Sequence, residues 1–167
     1  MSKRVKELRK ALEEKPHDPA LLQELAFALL KTHDHEGAAA AYAQLAAVHE
    51  RDGFLLKAVA MLKQAQKLRP RAEVVLALAR VHAQLGLSGE ALANLKQVPP
   101  SLESLRLKAT LRPDDQETHL QLAELLLEVG DEAGATAAIA RFGVELEHLR
   151  ERRLAALTRG LDFSRPN

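Results

Sequence analysis

The sequence contains no cysteine and no tryptophan, and four Phe with one Tyr make up its whole aromatic content. Without cysteine there are no disulfides and no thiol chemistry, so a reducing compartment is the expectation. Scarce aromatics beside abundant Ala and Leu favour helices and disfavour sheets. There is no excess of either charge: 24 Lys plus Arg face 23 Asp plus Glu, a net +1. Nothing global therefore argues for nucleic-acid or membrane binding. No stretch approaches the ~20 apolar residues of a membrane span, and the Ala-rich run over 38–48 is interrupted by Gln44. The N-terminus MSKRVKELRK lacks the apolar run of a signal peptide. The expectation is a cytoplasmic protein with no membrane insertion. No Ser-rich or Gly-rich linker interrupts the 167 residues, so a single domain over 1–167 is expected.

What is present is helical periodicity. Val5, Leu8 and Leu12 share one face of a first helix over 1–15, stopped by Pro16. Asp18-Pro19 reads as N-cap and first helical residue, followed by Leu22, Leu25, Ala26, Leu29 and Leu30 at the spacing of a buried face. A third helix presents Ala38, Tyr42, Leu45, Ala46 and His49 and ends at Asp52-Gly53. The stretch 52–70 then carries Ala58, Leu62, Ala65 and Leu68 and closes at Pro70. Small residues at Ala58 and Ala65 let a neighbouring helix approach closely. A fifth helix with Val75, Leu78, Ala79, His82 and Leu85 ends at Gly86, and Ser88 is read as the cap of the sixth. Pro99-Pro100 breaks the chain. A seventh helix runs over 102–111, Asp114 and Asp115 open the eighth, and Gly130-Asp131 turns into the ninth. Gly143 is a kink before a polar-faced helix over 145–160, and the tail over 162–167 is expected to fray.

Aligning the turns exposes an internal repeat. LARVHAQLGLSGEALANL superposes on LAELLLEVGDEAGATAAI and on LAFALLKTHDHEGAAAAY, where His33 stands in place of the turn glycine. Packing positions are matched by Leu25/Ala26, Leu78/Ala79 and Leu122/Ala123. The small second-helix residues are Ala38, Ala58, Ala91 and Ala135, and the closing prolines are Pro16, Pro70 and Pro113. This pattern resembles the tetratricopeptide repeat (TPR), a helix–turn–helix unit of about 34 residues. The resemblance covers roughly residues 19–149 and implies an all-α fold: a TPR-like right-handed superhelical array of antiparallel helices, about nine or ten in number. Departures from the pattern accompany it. Leu22, Tyr42, Val75 and His119 replace the family's usual first Trp. The third helix reads in two registers, pairing with both the second and the fourth.

No sequence motif for catalysis is present: no Gly-rich phosphate loop, no GxSxG, no HExxH. His33-x-His35 reads as a solvated turn with Asp34 as cap rather than a metal site, because neighbouring ligands in one turn rarely converge. His49, His82 and His119 occupy packing positions. The expectation is therefore no enzyme, no cofactor and no metal.

Charge is segregated along the chain. From 51 to 112 there are eleven Lys/Arg and four Asp/Glu; from 113 to 149 there is one Arg and nine Asp/Glu. Glu117, Glu124 and Glu128, separated by 7 and 4, share one stripe of the eighth helix. In the TPR family the first-helix stripe lines a concave groove. By position that implies a partner-binding face of Gln23, Phe27, Leu30, Lys31, Arg51, Leu76, Arg80, Leu120, Glu124, Leu127 and Glu128, with Gln44 and Ala47 beside them. The Lys and Asn clamp of chaperone-tail binders is absent, since those places carry Gln23, Phe27, Gln44, Ala72 and Ala77. The resemblance thus implies a non-catalytic adaptor holding a protein or peptide partner, with partner basic residues facing the eighth helix. Alternatives are a self-associating structural TPR protein, hence a homo-oligomer, or a small secretion-type chaperone. Nucleic-acid binding through Lys57, Lys63, Lys67, Arg69 and Arg71 ranks low, because aromatics are not interleaved there.

Overall fold

The computed structural model describes residues 2–160; the tail expected to fray lies outside the described residues. Within them the chain is all-α, with no strand. The helices are α1 (Lys3–Glu14), α2 (Pro19–Lys31), α3 (His35–Arg51), α4 (Leu55–Leu68), α5 (Ala72–Gln84), α6 (Ser88–Leu95), α7 (Leu102–Leu111), α8 (Gln116–Glu128), α9 (Glu132–Ile139) and α10 (Leu146–Gly160). A short 3₁₀ turn, Ala140–Phe142, follows α9 and ends at Gly143 with φ 65°. The helices group into two compact units, Met1–Pro99 and Pro100–Asn167, divided at the Pro99-Pro100 break.

Four helix-to-helix turns share one backbone form. His33 (φ 58°), Gly53 (81°), Gly86 (75°) and Gly130 (82°) each take the left-handed conformation just past a helix end. The next residue's N–H then reaches back to a carbonyl five residues earlier. Phe54 donates to His49 at 2.8 Å, Leu87 to His82 at 2.9 Å, Asp131 to Leu126 at 2.8 Å and Asp34 to Leu29 at 2.9 Å. These are Schellman closures, which satisfy the last carbonyls of one helix and aim the chain into the next.

The residue after each left-handed position is the N-cap of the following helix. Asp34 and Asp131 each accept a hydrogen bond from a glycine N–H, Gly37 and Gly134, at 2.8 Å. A Cβ at those glycines would lie 2.6 and 2.3 Å from the capping carboxylate, so any larger residue there makes the Asp side chain shift. Phe54 and Leu87 hold the same place without any side-chain cap bond. The expectation that Ser88 caps α6 is corrected here. Ser88 is already helical, because the turn delivers the chain into the helix one residue past Gly86. The aspartate caps of α2 and α8 are those the sequence indicates. Asp18 accepts from Ala20 and Leu21, Asp115 accepts from Thr118, and Ser101 with Ser104 forms a capping box.

In the first unit each helix packs on its chain neighbour, and α3 packs against both α2 and α4, as its two overlapping registers require. The core there joins Val5, Leu8, Leu25, Ala26, Leu29, Ala38, Tyr42, Leu62 and Leu78. A second cluster of Leu22, Leu45 and Val48 lies against Leu12 and Met61. Ala26, Ala38, Ala58, Ala65 and Ala79 are fully buried, and their small side chains permit close helix contact. In the second unit α8 is central, packing on α7, α9 and α10. Its core is Leu105, Leu122, Ala123, Leu126, Ala135, Ile139 and Leu149. Truncating a fully buried Leu such as Leu22 costs about 3 kcal/mol.

Candidate functional site

A cavity of about 660 Å³ opens where the end of α1, the α1–α2 turn, the start of α2 and the second half of α3 meet. Its floor is apolar, from Leu12, Pro16, Leu22, Ala47 and Val48. Arg9, Glu13, His17, Gln44 and Arg51 stand around it. Leu22 and Val48 reach it because they belong to the small second cluster, which α1 covers only with Leu12. Arg51 donates from Nε to Asp52 Oδ1 at 3.0 Å. A water-accessible hollow with an apolar base and a mixed-charge rim suits an apolar side chain of a polypeptide better than a small polar metabolite.

Phe27 and Lys31 line a different cavity, of about 360 Å³, with Ser2, Arg4, Glu24, Ala28 and Thr32. Arg4 and Glu24 are ion-paired across it. Phe27 is 49% exposed, and it alone among the expected apolar anchors is a strongly exposed large side chain. Gln23 is exposed on the same helix. Leu30 packs partly into the first core, and Leu120 and Leu127 into the second. Leu76 is half-buried on α5.

Arg80 makes a two-pronged pair with Glu50, 2.9 Å from Nε to Oε1 and 3.0 Å from Nη2 to Oε2. Gln84 adds a 2.8 Å bond to Glu50 Oε1. The hydrogen bond from Arg80 is the main reason the Glu50 carboxyl is held below its ordinary range. In the first unit the expected face therefore divides. Phe27 and Lys31 share one cavity, Arg51 borders another, and Arg80 is tied to α3.

In the second unit the acidic stripe of α8 faces the chain's own cations. Arg152 on α10 lies 3.0 Å from Glu117 and 3.3 Å from Glu124, and Arg153 lies 3.7 Å from Glu128. Arg150 pairs with Glu132 and Glu147. Leu127 borders a hollow of about 240 Å³ with Glu132, Arg150, Arg153 and Leu154. A partner bringing basic residues to α8 competes with α10 for these carboxylates. The stripe itself is readable from sequence, and so is the run of arginines after Leu149. Their registration is not, because it depends on how α10 docks.

His49, His82 and His119 occupy packing positions. His82 is buried and accepts a 3.0 Å hydrogen bond at Nδ1 from the Asn94 amide. Burial, then Lys63, lowers its pKa. His49 packs edge-on to Phe54 at 6.2 Å, and burial, then Lys57, lowers its pKa. His119 donates from Nδ1 to the Ala138 carbonyl at 2.9 Å and lies against Phe142, with Nε2 buried and unpartnered among the described residues. His33 and His35 meet edge-on at 6.4 Å. Among the described residues no group of three or more His, Asp or Glu could hold a metal ion. No described helix is long and apolar enough to cross a membrane.

No family model matches the sequence, and no curated protein does either. Among solved structures the chain is similar to a tetratricopeptide repeat protein of Parabacteroides merdae, at 17% identity over 82% of this chain and 70% of that one, TM-score 0.41. It is similar to a thermophilic TPR protein of Thermus thermophilus, at 28% identity over 92% and 89%, TM-score 0.33. It is also similar to YrrB, described as a TPR protein with an unusual peptide-binding site, at 21% identity over 80% and 71%, TM-score 0.35. On the register of its own repeats and the four matching turns, the chain is built of TPR-like helical hairpins.

Proposed function

We propose that this chain is a non-catalytic scaffold that holds a segment of a partner protein in the cytoplasm, without nucleic acid. The observation that carries the reading is the open cavity between α1, α2 and α3, whose apolar lining is exposed at Pro16 and Ala47 and half-buried at Leu12, over the buried Leu22 and Val48. Leaving apolar surface open to water is unfavourable, and a monomeric fold keeps such a hollow most readily where something else fills it. Phe27 with Leu30, Lys31 and Gln23 on α2 forms a second, separate contact for the partner, and Leu76 and Arg80 contribute from α5. The second unit carries its own proposed partner face, of Leu120, Glu124, Leu127 and Glu128, which a partner reaches by displacing α10.

Ala47 is exposed on the cavity wall, so Ala47→Trp fills the hollow without entering the core. The partner is first isolated by affinity capture from the source cell and mass spectrometry. Calorimetry should then show its affinity falling by about tenfold or more with Ala47→Trp, while the helical signal is unchanged. Equal affinity for wild type and variant removes the cavity from the reading. The pair Phe27→Ala and Leu30→Ala probes the α2 side in the same assay.

A further inference from the structure

The outer side of α4 is a separate surface. Phe54, Leu56 and Leu87 are 53%, 74% and 41% exposed, an unusual set of large apolar side chains facing water. Phe54 and Leu56 stand at the start of α4, and Leu87 at the start of α6. The α3–α4 and α5–α6 turns fall on the same side of the layer, because α4 packs on α5, α5 packs on α6, and short turns alternate helix direction. Phe54 and Leu87 also occupy N-cap positions where the equivalent turns carry Asp34 and Asp131. Apolar residues are the poorest N-caps. At this degree of exposure they contribute little burial to offset the missing cap. The fold gives up two caps and gains an exposed apolar edge.

Behind that edge runs a cationic row. Leu56, Lys63 and Lys67 are separated by 7 and 4 and share one stripe of α4. Lys57 lies 4.8 Å above the Phe54 ring. Lys57, Lys63 and Lys67 are all exposed, and none pairs with a carboxylate among the described residues. Arg69 and Arg71, which continue the row in sequence, are tied to Glu36 on α3.

We propose that this edge docks an acidic protein segment anchored by an apolar side chain. The anchor rests on Phe54, Leu56 and Leu87, and the carboxylates follow Lys57, Lys63 and Lys67 along α4. Charge complementarity selects the partner. Nucleic acid fits less well, because the edge offers a single Phe ring for stacking and the two arginines are already paired. The site is distinct from the cavity bounded by Ala47.

The test pans a random peptide display library on the immobilised full chain. Selected peptides should combine Asp or Glu with a large apolar residue. Phe54→Ser with Leu87→Ser restores a capping hydroxyl at both turns while deleting the apolar edge. This variant should melt at or above the wild-type temperature and bind the selected peptides about tenfold or more weakly. Lys63→Glu with Lys67→Glu, at exposed positions, should weaken them similarly, and Ala47→Trp should leave them unchanged. The proposal is overturned if no acidic peptide is enriched, or if the two double variants bind as wild type does. It is also overturned if oligonucleotides or phosphatidylserine vesicles bind this row in place of peptide, or if light scattering shows the edge closed by a second copy.

Discussion

His33 is the residue whose local conformation is least favourable for its type. It holds φ 58° at a turn where Gly53, Gly86 and Gly130 serve the same purpose. A left-handed position costs an L-residue with a Cβ about 1–2 kcal/mol relative to glycine. His33→Gly is therefore expected to stabilise the first unit by about 1 kcal/mol, raising the melting temperature by roughly 2–4 °C in a thermal denaturation series. An unchanged or lower melting temperature would mean that the edge contact of His33 with His35 outweighs the backbone strain. The strained position is legible in the sequence, since His33 stands where the repeat alignment demands glycine. The missing caps are not. A serine directly after Gly86-Leu87 reads as a cap, and only the turn geometry shows that Leu87 already fills the place.

At the scale of elements, the seam between α8 and α10 is laced by three ion pairs. Glu117, Glu124 and Glu128 meet Arg152 and Arg153, while Leu149 is the buried anchor of α10. Exposed pairs of this kind contribute about 0–1 kcal/mol each and weaken with salt. Arg152→Glu with Arg153→Glu should leave the overall melting curve nearly unchanged. Hydrogen exchange over α10 should rise, and adding Glu124→Arg with Glu128→Arg should restore protection. If α10 exchanges identically in all three proteins, Leu149 alone holds it. Helix boundaries and capping aspartates in this unit could be read from periodicity and Asp placement, and α7 falls on the expected residues. What the acidic stripe faces could not be read. A stripe of one sign is equally consistent with water, a partner or the chain's own arginines, and only packing distinguishes them.

For the molecule as a whole, two histidines in packed positions set the response to mild acid. His49 and His82 have pKa values lowered below 6.5, by burial first and then by Lys57 and Lys63. The unfolded chain then binds protons more readily than the folded one. Stability present above 6.5 is lost as the pH falls from that value through the lower folded pKa. Glu50 and Asp115 have pKa values lowered below 4.5 and 3.8, so their contributions begin to be lost only in more acid solution. Calorimetry from about pH 7 to about pH 5 should show a falling melting temperature. His82→Gln, which keeps an acceptor for the Asn94 amide, should flatten that slope. An identical slope in the variant would place the acid sensitivity elsewhere.

The shared position of α3 has a consequence for how such a protein can lengthen. A tandem copy of α2 and α3 alone would leave the α4-facing side of the duplicated α3 without its mate, because that helix is built to be covered on both sides. Growth by duplication would have to carry α4 along, so in the first unit the heritable module is a triplet rather than a pair.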